Sequence, residues 1–122
     1  MTSRLASNYP DIQRLLQSLD TQERRSLATR IVLWAAQEAG IDPDEMRMLL
    51  ARNQPEPFEA LCAEHEECYF ELARRSDDRH SAFFAKARAY SAAAFLVRGA
   101  WDEAVYESTF ATEKALLIDD FS

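Results

Sequence analysis

Apolar residues recur along this chain at helical spacing and nowhere at the alternating spacing of strands. Ile12, Leu15, Leu16 and Leu19 stand at i, i+3, i+4 and i+7. That stripe predicts a short helix opened by Asn8-Tyr9-Pro10, with proline in the first turn, where its missing N–H is not needed. Asp20 is placed to cap a second helix, and Glu23 sits three residues on, the spacing of a capping box. This helix is expected to run to Ala39, with Gly40 in the left-handed position just past its end. Its second half, Ile31 to Ala36, is apolar on nearly every side, the pattern of a centrally buried helix. Asp42-Pro43-Asp44-Glu45 repeats the capping pattern for a third helix, whose stripe is Met46, Leu49 and Leu50.

Asn53-Gln54-Pro55-Glu56-Pro57 is the strongest breaker in the chain. A fourth helix is predicted from there to about residue 75. Its apolar arc holds Phe58, Leu61, Cys62, His65, Tyr69 and Leu72. After a turn at Ser76-Asp77-Asp78, a fifth helix is expected over about 79 to 98. It carries Phe83, Phe84, Ala87, Tyr90, Ala94, Phe95 and Val97, is apolar on most sides, and ends at Gly99. A last helix is predicted from Trp101 to about Leu117, with a small inward face of Ala104, Ser108, Ala111 and Ala115 that lets it lie close to the fifth. The expected fold is all-α: one domain over 1–122, a single compact bundle of five to six helices, with Trp34, Phe84 and Phe95 in its core.

Gly99-Ala100-Trp101-Asp102-Glu103-Ala104, together with Phe95 and Ala111, resembles the turn and second-helix opening of a tetratricopeptide-type hairpin. The resemblance covers Arg88 to Ala111. Ser91 and Ala92 replace the family's Leu-Gly, Ser108 replaces a bulky residue, and no second copy is found, whereas repeat stacks need about three units. The resemblance implies a C-terminal helical hairpin and protein binding.

Composition narrows the function. With 2 glycines in 122 residues, phosphate-cradling loops and dinucleotide fingerprints cannot be built. The net charge is -7, from 14 Lys+Arg against 21 Asp+Glu, which argues against nucleic acid as a partner. Residues 1–30 carry +2 and the rest is acidic, with 18 of the 21 acidic residues after residue 30; such a field favours a basic partner. The longest apolar runs, Ile31–Ala36 and Ala92–Val97, are six residues each against roughly 20 needed to span a membrane. The start, Met1-Thr2-Ser3-Arg4-Leu5, lacks a signal-peptide stretch. Cys62 and Cys68 lie six apart on one helix, about 9 Å in rise alone, beyond the roughly 7 Å limit for a bridge. Free, largely buried thiols fit a reducing cytoplasm. Arg outnumbers Lys 12 to 2, an association with GC-rich bacterial genomes.

Cys62, His65 and Cys68 are zinc-ligand types, but the two thiols point about 120° apart on a straight helix. Core thiols beside a tucked histidine are the simpler reading. His80 follows Asp77-Asp78-Arg79 and is expected in the first turn of its helix, with the two aspartates satisfying the helix N-terminus. No serine elbow, His-Glu-x-x-His or phosphate loop occurs, so neither an enzyme nor a cofactor is expected. Glu64, Glu67 and Glu71 form an acidic stripe away from the apolar arc, with Arg74 and Arg75 placed to relieve only Glu71. Tyr106, Phe110 and Leu117 would share one face of the last helix, roughly opposite Trp101, Ala104 and Ser108, so that either both faces are buried or one is an interface, and Phe121 follows. These residues predict a partner-binding surface: acidic Glu64, Glu67 and Glu71 for steering, aromatic Tyr106, Phe110 and Phe121 for anchoring. The expectation is a non-catalytic protein-binding protein, an inhibitor or immunity-type or chaperone-type protein that occludes a basic toxin, effector or enzyme, with self-pairing through the C-terminal helix left open. The alternatives are a metal-binding or redox bundle using His65 with Cys62 or Cys68, and a non-catalytic subunit of a larger enzyme.

Overall fold

Seven α-helices and no strand are found among residues 4–121, the residues described by this computed structural model. They are α1 (Arg4–Asn8), α2 (Pro10–Ser18), α3 (Thr21–Glu38), α4 (Pro43–Ala51), α5 (Glu56–Arg74), α6 (His80–Val97) and α7 (Trp101–Ser108), followed by a 3-10 turn at Ile118–Asp120. Met1, Thr2 and Ser3, part of the start read as free of a signal peptide, lie outside the described residues. No described helix is long and apolar enough to cross a membrane.

The all-helical class is as expected, and the helix count is higher. Arg4–Asn8 forms a turn of its own, anchored by the fully buried Leu5. The ring of Pro10 keeps Tyr9 out of the helical region, at φ −137° and ψ 65°, and so separates α1 from α2. Asp20 closes a capping box, accepting from the Glu23 N–H at 2.8 Å while its own N–H donates to Glu23 Oε1 at 3.3 Å. Asp42 accepts from the Asp44 N–H at 2.8 Å to start α4. Gly40 and Gly99 take positive φ, +90° and +80°. Each lets the next N–H reach back, Ile41 to the Ala36 carbonyl and Ala100 to the Phe95 carbonyl, the Schellman arrangement.

The last helix ends at Ser108, not Leu117. Ser108 and Thr109 turn their hydroxyls onto the carbonyls of Ala104 and Tyr106, at 2.8 and 2.6 Å, and such local bonds compete with helix continuation. The chain then runs back over α3: Lys114 pairs with Glu38 at 3.0 Å, and Phe121 sets its ring edge-on to Trp34 at 5.6 Å. The expected inward position of Ala115 is therefore wrong. Ala115 is exposed and Leu116 is buried in its place. Leu117 is exposed and shares no helix face with Tyr106.

α6 is the axis, packing on α5, α7 and α3. Ala87, Ala89, Ala92, Ala93 and Ala94 are all buried along it, and their small side chains admit neighbours on several sides. Ala104, Ser108 and Ala111 form the small buried face on the C-terminal side, as expected. Trp34 and Phe95 pack half-buried against the core. Phe84 was expected inside and is 37% exposed. The reason is regional: between Phe58 on α5 and Ala87 on α6 no residue is buried, so the outer halves of these helices extend past the core. We expect Phe58→Ala to cost about 3–5 kcal/mol, as for a fully buried aromatic, and Phe84→Ala less than about 1 kcal/mol. Urea unfolding of both variants checks this ordering.

Candidate protein-docking arm on α5 and α6

α5 carries two kinds of surface because its apolar arc is longer than the core it serves. Phe58, Leu61 and Cys62 reach the main buried cluster. One turn further on, His65 stacks between Tyr90 and Phe83, with ring centroids at 5.2 and 5.9 Å, and its Nδ1 lies 2.8 Å from the Leu61 carbonyl. Beyond His65 the rings form a chain of their own: Tyr69 meets Phe84 at 5.3 Å, His80 at 5.7 Å and Phe70 at 5.1 Å. Neither Tyr69, Leu72 nor Phe83 packs on the main core. The outer part is thus a two-helix arm whose helices are joined by this aromatic row.

Charged groups fasten the arm at its base. Arg98, just past the end of α6, pairs with Glu59 of α5. Half-buried Arg88 pairs with Glu66 of α5 and, at 3.5 Å, with Glu107 of α7. Arg4 of α1 pairs with Glu103, stands 3.8 Å from Glu107, and lies over the Tyr106 ring at 4.5 Å. The Cys62 thiol donates to Glu66 Oε1 at 3.1 Å. Burial, and then this bond to a carboxylate, push the thiol up from 9.0 to about 12. Such a thiol is a poor metal ligand and a poor nucleophile, since both roles need the thiolate. Cys62 and Cys68 are half-buried, not buried as expected, and they face different grooves. Cys62 lines a groove of about 230 Å³ with Ser91, Phe95 and Arg98, and Cys68 lines the outer cleft described next. Among the described residues no three His, Cys, Asp or Glu side chains converge as a metal-ligand set.

The outer cleft, about 680 Å³, is lined by Glu67, Cys68, Phe70, Glu71, Leu72, Arg74, Arg79 and Phe83. Phe70 is 59% exposed there. Arg74 and Arg75 both pair with Glu71, whereas Glu64 and Glu67 are exposed and make no ion pair among the described residues. At the tip, Ser76 adopts φ +54°, and Asp77, held by Arg79 down to about 2, accepts from the Arg79 N–H at 2.9 Å. His80 lies in the first turn of α6 as expected, but the two aspartates do not cap that helix: the Asp77 carboxylate accepts from the Arg79 N–H, and Asp78 offers its backbone carbonyl to the Ser81 hydroxyl.

The six residues expected to bind a partner fall in three places. Glu64, Glu67 and Glu71 share the outer face of α5. Tyr106 and Phe110 meet edge to face at 5.1 Å beside Arg4, with Phe110 45% exposed. Phe121 rests on Trp34. Phe70, the aromatic nearest the acidic stripe, was missed. Its signal was present: it lies off the apolar arc, between Glu67 and Glu71 in sequence. No protein-family model matches this chain, no curated protein matches its sequence, and no solved structure matches its fold.

Three outcomes follow from this geometry. Cys62 in a Cys68→Ser variant should alkylate at least about tenfold more slowly at pH 8.5 than Cys68 in a Cys62→Ser variant, because its thiolate is scarce. Since the native state holds the Cys62 proton longer than the unfolded chain, stability should fall as pH rises from about 9 towards 12, and Cys62→Ala should flatten that limb in urea titrations. Separately, Arg88→Met should cost about 3 kcal/mol, because it leaves the mostly buried Glu107 without its α6 partner. Adding Glu107→Leu should recover part of that loss in a double-mutant cycle.

Proposed function

We propose that this protein is a non-catalytic protein-binding domain that docks a basic partner through the outer half of the α5–α6 arm. The observation that carries the reading is Phe70: a large aromatic 59% exposed on a cleft that also holds Leu72 and Phe83, next to Glu64 and Glu67. Exposed apolar patches rimmed by polar groups mark interaction sites. Unpaired carboxylates speed encounter with a basic surface, and a desolvated aromatic supplies the anchor that exposed ion pairs, at about 0–1 kcal/mol each, do not. Occlusion is the mechanism this implies, as in an inhibitor, immunity-type or chaperone-type protein. Tyr106, half-buried against the core, and the exposed Phe110 form a second, smaller contact in this reading. The likeness of the α6–α7 hairpin to a tetratricopeptide-type unit points the same way. Two free thiols fit a reducing compartment such as the cytoplasm. The metal or redox alternative is disfavoured by the raised Cys62 thiol and the divergent placement of Cys68.

Parallel affinity capture from the source cells tests this with four baits: the native chain, Phe70→Ala, the double variant Glu64→Lys/Glu67→Lys, and Met48→Ala, an exposed side chain on α4. A basic protein should be recovered by the native chain and by Met48→Ala and be depleted about tenfold or more by Phe70→Ala. The double charge reversal should slow its association and flatten the salt dependence. Equal recovery by all four baits would show that the arm is not the docking site.

A further inference from the structure

The chemistry of the arm also selects the shape of what it binds, and this step rests on the reading just given. We infer that the outer cleft takes a single amphipathic α-helix of the partner, its apolar face on Phe70, Leu72 and Phe83 and its basic residues over Glu64 and Glu67.

Three observations lead there. The first is the form of the surface. α5 and α6 run side by side beyond the core, and two packed helices present ridges between which a third helix seats at about 8–10 Å. An extended peptide gains its affinity by main-chain bonds to a sheet edge. No strand exists among the described residues, and helix backbones have already spent their donors and acceptors internally. An extended occupant would bury unpaired amides. A helical one brings its backbone bonds with it.

The second is length. The arm beyond Cys62 runs from Ala63 to Arg74 on α5, about 18 Å at helical rise. About three turns of a guest helix cover it, with apolar residues at i, i+3, i+4 and i+7. The third is charge, which orders the guest. Towards the core, Glu64 and Glu67 stand without cationic partners. Towards the tip, Arg74 and Arg75 share Glu71 and Arg79 pairs with Asp77, so the three arginines outnumber their two carboxylate partners. The excess negative charge is therefore at the inner end, and the guest's lysines or arginines belong there, away from the arginines of the tip.

Three fluorescein-labelled synthetic peptides of about 14 residues test this on the full chain. One has a leucine stripe at helical spacing and lysines over one end. The second has the same composition scrambled to remove the stripe, and the third has glutamates in place of the lysines. The first should bind at least about tenfold more tightly than the other two by fluorescence anisotropy, gain helicity by circular dichroism on binding, and lose about tenfold or more on Phe70→Ala. Equal binding of the scrambled peptide would overturn the helical guest while leaving a basic partner at the arm intact. Equal binding of the glutamate peptide would overturn the charge assignment. If none binds, or if sedimentation shows a dimer abolished by Phe70→Ala, the guest-helix inference falls. In the second case the cleft belongs to another copy of this chain. The four-bait capture stands as a separate test of whether the arm docks anything.

Discussion

α6 touches α3, α5 and α7 at once, and everything else follows from the narrowness this demands. Three helices can approach one axis together only where its side chains are short on several faces. Ala87, Ala89, Ala92, Ala93 and Ala94 meet that need, and Ala104, Ser108 and Ala111 answer them from the C-terminal side. Alanine gives little area to bury, at about 25 cal/mol per Å², so the tight axis is weak in hydrophobic gain for its length. Arg88 adds what alanine lacks. It joins Glu66 of α5 to Glu107 of α7 across α6, and Arg4 extends the chain of charge to α1.

The helices were legible wherever the chain carries its own punctuation. Asp20 with Glu23, Asp42 with Pro43, and the glycines at 40 and 99 mark boundaries that the structure keeps within a residue or two. Where punctuation is missing, periodicity misled. Ala104, Ser108, Ala111 and Ala115 continue a helical rhythm, but nothing in that rhythm shows that Ser108 and Thr109 will bond backward or that Leu116 will take the buried place. The α1 turn was overlooked for the opposite reason: five residues hold too little pattern to read, and Leu5 is fixed by tertiary contact alone.

The proposed docking site was half legible. Glu64, Glu67 and Glu71 stood out as like charges on one helical face, and they do face outward. The aromatics were harder, because a sequence shows which residues want burial but not where the core stops. Phe84 sits on an apolar face like that of Tyr90, yet two turns separate the reach of the core from the open arm. Phe121 looked unclaimed and is held by Trp34. Phe70 looked peripheral and is the most exposed aromatic that bears on the acidic stripe. The boundary between the aromatic row and the core falls at His65, which is packed from both sides by rings.

Because the arm beyond His65 contributes no buried residue to the main cluster, its exposed positions are freer of the fold's demands than the core is. Substitutions in the alanine axis meet close-packed neighbours and threaten folding directly. In the proposed reading, substitutions at the exposed Glu64, Glu67 or Phe70 would alter recognition with little loss of stability. If the arm docks a partner as proposed, selection could rewrite its specificity by single changes, including ones that add a clash or a like charge against an unwanted ligand, while the scaffold stays as it is. A lineage of such proteins would diverge fastest at the exposed positions of α5 beyond His65 and of the first turns of α6, and slowest where methyl groups face one another at the centre.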